Sequence, residues 1–534
     1  MKKHFNTTGP VFPAKHYCID PMQRLDWEEI HHLIDAEKYF VLHAPRQTGK
    51  TSTLLKMMDV LNAEGQYKAL YVNIEAAQAM RNDVEAGLAI VCETIASNAR
   101  IYDIEPELEV LTDKLLKDRR AGGVLTQQLS QWAQMSDKPI VLMLDEADSL
   151  VGDTLISLLR QIRAGYSQRP EAFPQSIILC GIRDVRDYRI HSSDQEIITG
   201  GSAFNIKAES LRMGNLSLAE VRELYAQHTT ETGQPFADEI IFAALWEDTK
   251  GQPWLVNALG HEMTWKDKTA RDRSTPITFE RYQAARERLI RARETHLDQL
   301  TDKLKEPRVN RVISAILSGD DNIPDIHDDD LQYVEDLGLI TTYPQVEISN
   351  RIYQEVIPRE VTWQWQATIT NQQTSWYVLP DGRLDIPALL RAFQQFFREH
   401  SDIWLRGLPF KEAGPQLVLQ AFLQRIVNGG GRISREYALG RKYTDLYLEW
   451  PVDQEQGFSG EVQRVVLELK ILYSNLDKTI ADGLVQVVGY AEQCGADEAH
   501  LIIFDRDAEV SWDDKIWQRD RAVVGERVVG IWGC

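Results

Sequence analysis

The run His43-Ala44-Pro45-Arg46-Gln47-Thr48-Gly49-Lys50-Thr51-Ser52 has the residue types and spacing to surround a chain of phosphates. The backbone amides of Arg46 to Lys50 and the N-terminus of the helix that follows would aim N–H groups at the phosphate oxygens. Lys50 would reach the β and γ oxygens, and the Thr51 hydroxyl would ligate Mg²⁺. Ala44 stands where the pattern prefers glycine, which is tolerable if its φ is negative. The hydrolytic half of such a site is supplied by Ile140-Val141-Leu142-Met143-Leu144-Asp145-Glu146, an apolar strand ending in two acids. Asp145 would hold Mg²⁺ through water, and Glu146 would orient or activate the water that attacks the γ-phosphate. A further apolar run closes at Cys180-Gly181-Ile182-Arg183-Asp184, where Arg183 could sense the γ-phosphate or pair with Asp184 or Asp187. Arg163 and Arg169 are candidate fingers acting on a neighbouring copy, although most exposed arginines are only solvated.

A second constellation lies far downstream. In Val465-Val466-Leu467-Glu468-Leu469-Lys470-Ile471, period-two alternation puts Glu468 and Lys470 on one face of a strand and Leu467 and Leu469 on the other. Asp445 comes from the preceding hairpin strand, so two carboxylates could converge on one Mg²⁺ or Mn²⁺, with Lys470 to steady the water or the developing charge. That is the chemistry of metal-dependent phosphodiester cleavage. Gln486 and Tyr490, four residues apart, share one helical face and could point at the same place. Glu412, ahead of a helix, is a further candidate acid. In isolation a Glu-x-Lys pair on a half-exposed strand is more often a surface ion pair.

Positioning these groups requires several domains, because 534 residues exceed what one core serves. Residues 1 to about 200 alternate apolar runs with amphipathic stretches, the pattern of a parallel sheet covered by helices. Its expected strands are Tyr39 to Leu42, Ala69 to Ile74, Ile140 to Leu144 and Ser176 to Cys180. From Leu216 to about Arg293 the period is helical, with Ser217 as N-cap, which predicts a helical lid. Val309 to Glu355 reads as a small winged helix, Trp363 to about Ile386 as a linker, and the remainder as helices followed by strand pairs and a final helix-strand unit. The composition, 43% hydrophobic and 26% charged, is that of a globular protein. No apolar run spans a membrane, and the N-terminus lacks the apolar core of a signal peptide. Five scattered cysteines argue against zinc and for a reducing cytoplasm. The net charge of −21 disfavours a dedicated nucleic-acid binder, yet one local basic groove is enough to hold DNA. Arg432 to Lys442 and Arg281 to Arg293 are the candidate grooves, with a solvated face as the commoner use of such runs.

Over roughly residues 1 to 360 the chain resembles the prokaryotic AAA-like and STAND-type P-loop ATPases, on the loop at 44–51, the acids Asp145-Glu146 and Lys250-Gly251-Gln252-Pro253-Trp254. The resemblance implies that Pro253 packs near an adenine and that Tyr17-Cys18-Ile19-Asp20-Pro21 lines the base. Residues about 400 to 534 resemble the PD-(D/E)xK nuclease domain fused to such ATPases, on Asp445, Glu468, Lys470, Leu419 to Arg425, Gly429 to Gly431, Arg435-Glu436-Tyr437, Gln486-Val487-Val488-Gly489-Tyr490 and Cys494-Gly495-Ala496; Thr444 replaces the usual proline. The expected architecture is an α/β multidomain chain: a P-loop ATPase core (1–205), helical lid (206–304), winged helix (305–360), linker (361–395) and restriction-endonuclease-like α/β domain (396–534). The resemblance further implies ATP with Mg²⁺ or Mn²⁺ as cofactors, nucleic acid (DNA favoured) as partner, a homo-oligomer in the cytoplasm, and service in phage or mobile-element conflict. The alternatives are an ATP switch whose C-terminal domain only binds DNA or protein, and a signalling ATPase with a protein partner.

Overall fold

In the computed structural model the described residues are 3–534 apart from 118–122, 183–188, 192–196, 200–205, 293–301, 319–325, 362–376, 408–417, 421, 425–430, 436–445, 454–455, 473–474, 506, 508 and 525–526. They form two compact units, Met1–Leu289 with Gln332–Leu339, and Ile290–Leu331 with Ile340–Cys534. The expected winged-helix stretch is therefore shared between the two.

The first unit is built on a five-stranded sheet: β1 (Tyr39–His43), β2 (Lys68–Asn73), β3 (Ile140–Asp145), β4 (Ser176–Gly181) and β5 (Lys207–Arg212), in the order β2-β3-β4-β1-β5. Every neighbouring pair is parallel. β1, β3 and β4 are buried on both faces, which is why their sequences are continuous apolar runs rather than alternating ones. Alternate residues feed two cores. Val41, Leu70, Leu142 and Leu179 pack with helices Val84–Ile101, Val124–Met135 and Gly152–Ala164, whereas Leu42, Tyr71, Met143 and Cys180 pack with α1 (Lys50–Glu64). The fifth strand lies beyond the expected core boundary at 205 and was not foreseen, because Lys207-Ala-Glu-Ser-Leu-Arg212 is an edge strand with a polar composition.

In the stretch expected to be a helical lid come helices α2 (Leu218–Thr232), α3 (Ile240–Thr249), α4 (Pro253–His261) and α5 (Phe279–Ala292). Ser217 caps α2 as expected, in a reciprocal capping box with Glu220. Two arginines of α5 are paired with acids: Arg286 with Asp248 at 2.9 Å and Arg288 with Glu262 at 2.9 Å. Helix α6 (Pro307–Ser318) precedes α7 (Asp328–Asp336); a short antiparallel pair, β6 (Ile340–Thr341) and β7 (Glu347–Ile348), then leads to α8 (Arg351–Val361).

The C-terminal sheet holds β8 (Arg432–Arg435), β9 (Leu446–Pro451), β10 (Val462–Leu472), β11 (Glu498–Asp505), β12 (Trp517–Val524) and β13 (Arg527–Gly533), ordered β8-β9-β10-β11-β13-β12. β8, β9 and β10 form an antiparallel meander; β11 then pairs with β10 in parallel after a crossover through helix α10 (Leu476–Gln493). Helix α9 (Ile386–Gly407) begins inside the expected linker and covers one face of this sheet, setting Phe393 and Phe397 against Phe504. Burying a side chain such as Phe393 contributes about 1.5–3 kcal/mol. The other face carries Val466, Leu501 and Ile531 beneath Ile480 and Val487 of α10. Among the described residues no helix is long and apolar enough to cross a membrane.

Candidate functional site

The loop between β1 and α1 turns through two left-handed residues, Gln47 (φ 58°) and Gly49 (φ 92°), while Ala44 is not among the positive-φ residues, so its methyl group is accommodated. Lys50, nearly buried, folds back to donate to the carbonyl oxygens of Ala44 (2.9 Å) and Pro45 (3.1 Å). Thr48 bonds the Pro45 carbonyl at 2.7 Å, and the Ser52 hydroxyl accepts the Val11 amide at 2.9 Å. Arg46 is exposed at the loop crest. Strand β3 delivers Asp145 to the same place: its Oδ2 accepts the Thr51 hydroxyl at 2.8 Å and the Tyr71 hydroxyl at 3.0 Å, and its Oδ1 accepts the Glu146 amide at 3.0 Å. A hydroxyl and a carboxylate this close are hard oxygen donors of the kind Mg²⁺ prefers, so Thr51 and Asp145 fit that cation.

Glu146 is held at φ 57°, a left-handed conformation that is costly for a side chain bearing a Cβ and recurs at functional positions. Burial raises its carboxyl above the usual range and Asp148 adds to the rise, while Lys50 opposes it. Asp148 in turn accepts the Ile182 amide at 3.1 Å, tying the ends of β3 and β4 together. Arg183 lies outside the described residues. Arg169, one of the two candidate fingers, stacks its guanidinium 3.5 Å over the Tyr166 ring and bonds the Tyr166 carbonyl.

Beside the loop is a cleft lined by Val11, Tyr17, Arg24, Gly49, Leu216 and Pro253. Tyr17 and Pro253, each expected from the resemblance to lie near a base, both line this cleft. Gly251 explains the turn that presents Pro253: its φ is 70°, and a Cβ would stand 1.8 Å from the Leu216 carbonyl oxygen. Gln252 then caps α4, accepting the Leu255 amide, and Pro253 opens the helix where no N–H is needed. Arg24 donates to the carbonyls of Thr48 and Gly214, bridging the loop and the start of the lid, and burial lowers its pKa to about 10. Nothing local in the sequence distinguishes Arg24, Tyr71 or Asp148 from ordinary polar residues, so all three were missed.

The segment Gln332–Leu339 also touches this region. Arg212 pairs with Glu335 at 3.2 Å, and the buried Asp336 approaches His43 at 4.0 Å. Gly338 (φ 77°) packs so closely on Pro45 that a Cβ would lie 2.8 Å from the proline ring.

In the C-terminal unit Glu468 is 1% exposed on the β10 face covered by α10. Lys470, on the same face, is paired with it and also donates to Oε1 of Gln486 on α10. Tyr490 stands one turn further along α10 at the margin of the same apolar cluster. The structure thus brings together Glu468, Lys470 and Gln486. Asp445 and Glu412 lie outside the described residues, among which no group of three or more His, Cys, Asp or Glu side chains converges.

A family model described as "AAA-like domain" matches residues 23–357, more than half of the chain. No curated protein matches. Among solved structures the chain is similar to a Walker-type ATPase of Pyrococcus abyssi, at 13% identity and a TM-score of 0.46, covering 65% of this chain and 98% of that one. It is also similar to Cdc6p from Pyrobaculum aerophilum (15% identity, TM-score 0.34, 64% of this chain and 93% of that one). Domain III of the Thermotoga maritima replication initiation protein DnaA is a third (11% identity, TM-score 0.32, 52% and 97%).

Proposed function

Because the chain belongs to the AAA-like domain family, we propose that its N-terminal unit binds and hydrolyses ATP, and that nucleotide state governs metal-dependent cleavage of nucleic acid, DNA foremost, by the C-terminal unit. The observation that carries the first half is the meeting of Lys50, Thr51 and Asp145 around one loop. Lys50 exchanges its carbonyl partners for the β and γ oxygens, the amides of Arg46 to Lys50 hold the phosphates, and Pro253 with Tyr17 shelters the base. Thr51 and Asp145 hold Mg²⁺, which neutralises charge on the transferring phosphoryl group. Glu146 orients the attacking water, and its raised carboxyl pKa makes it a better proton acceptor.

The second half is supported by Glu468 and Lys470 sharing one strand face and meeting Gln486 of α10 above it. Glu468 with Asp445 would hold a divalent cation that stabilises charge on the scissile phosphate. Lys470 positions the water, and Gln486 and Tyr490 orient it from the helix. The stretch 305–360 serves as a winged helix linking the two activities. One observation favours a second reading, in which the C-terminal domain only binds DNA or a protein: Glu468 already has an ammonium partner, so its charge is compensated without a metal.

The test is incubation of the full chain with ATP, Mg²⁺ or Mn²⁺ and linear and circular DNA. Cleavage is expected, and Asp445→Asn and Glu468→Gln should each reduce it roughly a hundredfold or more with ATP turnover intact. Undiminished cutting in both variants removes the site; salt-sensitive DNA binding without cutting in any metal establishes the second reading.

A further inference from the structure

We propose that Tyr71 is a positioning residue for the divalent cation of the nucleotide site, an inference that rests on the reading of that site as ATP-binding. Asp145 is fully buried, and a buried carboxylate keeps its charge and its orientation only through the donors aimed at it. Its Oδ2 receives two hydroxyls, one from a helix and one from a strand. Thr51 comes from the first turn of α1, beside the phosphate loop. Tyr71 comes from the neighbouring strand: β2 and β3 run parallel with Tyr71 opposite Met143 and Asn73 opposite Asp145. The Tyr71 side chain therefore reaches diagonally to a residue two positions beyond its own partner, a span suited to a phenol.

The ring of Tyr71 is packed in the core shared with Met143 and with Met58 of α1, and its amide meets the Met58 sulfur at 3.4 Å. It is thus fixed by the sheet rather than by the loop. When the Thr51 oxygen turns its lone pair to a cation, Tyr71 is the hydroxyl that stays on Oδ2, and together with the Glu146 amide on Oδ1 it sets the rotation of the Asp145 carboxylate that must face the same ion. Donors of this kind behind a metal-holding carboxylate commonly contribute about tenfold to a hundredfold in metal affinity.

Tyr39 provides a matched control. It is another buried strand tyrosine of the same sheet, and its hydroxyl bonds the Pro174 carbonyl at 2.9 Å, with no tie to Asp145. The experiment titrates Mn²⁺ by electron paramagnetic resonance against the full chain saturated with a non-hydrolysable ATP analogue, in wild type, Tyr71→Phe and Tyr39→Phe, with melting curves to verify folding. Tyr71→Phe, which keeps the ring, should weaken Mn²⁺ by about tenfold or more while metal-free nucleotide binding changes less than about twofold; Tyr39→Phe should leave Mn²⁺ affinity unchanged. Equal Mn²⁺ affinity in all three proteins, or equal weakening in both variants, overturns the role of Tyr71 and leaves ATP binding standing. Wild type that binds no Mn²⁺–nucleotide overturns the ATP reading and this inference together.

Discussion

Asp145 and Glu468 are both buried carboxylates on the central strands of mixed-layer α/β units, yet they are satisfied in opposite ways. Asp145 receives neutral donors, the hydroxyls of Thr51 and Tyr71 and a backbone amide, so its negative charge is oriented but not cancelled. Glu468 faces the ammonium of Lys470, two residues along its own strand, and that lysine is steadied by Gln486. A carboxylate ringed by hydroxyls invites a divalent cation, because the ion supplies the compensation the protein withholds. A carboxylate paired with lysine is compensated before any ion arrives, so metal binding there requires the lysine to turn toward another anion, such as a phosphate of the substrate. On the proposed reading, the same residue type would hold a cation directly in one unit and only after substrate draws the lysine away in the other.

The two lysines offer the sharpest way to break that comparison. Replacing Lys50 with alanine should lower ATP turnover by roughly a hundredfold to a thousandfold, since it removes the ammonium expected on the β and γ oxygens, and should leave the melting of the C-terminal unit unchanged. A phosphate-release assay with calorimetry measures both. Lys470→Met should instead act on stability: it removes the ammonium facing the buried Glu468 and, discounted for the one-fifth exposure of the lysine, costs about 2 kcal/mol in chemical denaturation. The double variant Glu468→Gln/Lys470→Met should recover most of that loss. A single variant as stable as wild type would show that Glu468 does not depend on its lysine.

The smallest expected effect belongs to the N-terminal unit and is one of pH. His228 is buried between the Tyr17 hydroxyl (3.3 Å) and Gln234 (3.0 Å), and burial lowers its pKa, with Arg273 adding and the Gln234 bond opposing. A folded-state pKa below the unfolded value of about 6.5 means that the folded unit binds fewer protons, so its contribution is complete above that pH and is lost as pH falls through the window beneath it, by at most about 1.4 kcal/mol per unit. Melting of wild type between pH 7.5 and 5.5 should fall more steeply than that of His228→Asn; parallel curves would remove His228 as the cause.

Much of this was legible in the residues. Uninterrupted apolar runs revealed four strands of the first sheet, since strands buried on both faces carry little else, and Ser217 with Glu220 marked a helix start through local chemistry alone. Period-two alternation placed Glu468 and Lys470 together, and strand-end logic placed Asp145 near Lys50. What escaped was contributed by distant partners: Arg24 meets Thr48 24 positions away and Tyr71 meets Asp145 74 positions away, contacts that no local pattern encodes. β5 was missed because an edge strand needs less apolar sequence.

The segment Gln332–Leu339 makes the protein resistant to dissection. The chain leaves the N-terminal unit after Leu289, returns for that one visit to press Gly338 on Pro45, and leaves again. A protease or a gene truncation that severs the polypeptide after Leu289 strips the phosphate loop of a neighbour encoded more than forty residues downstream of the cut. An isolated N-terminal fragment is thus incomplete at its phosphate loop rather than minimal, and any ATP turnover it shows would be measured without the Gly338 contact.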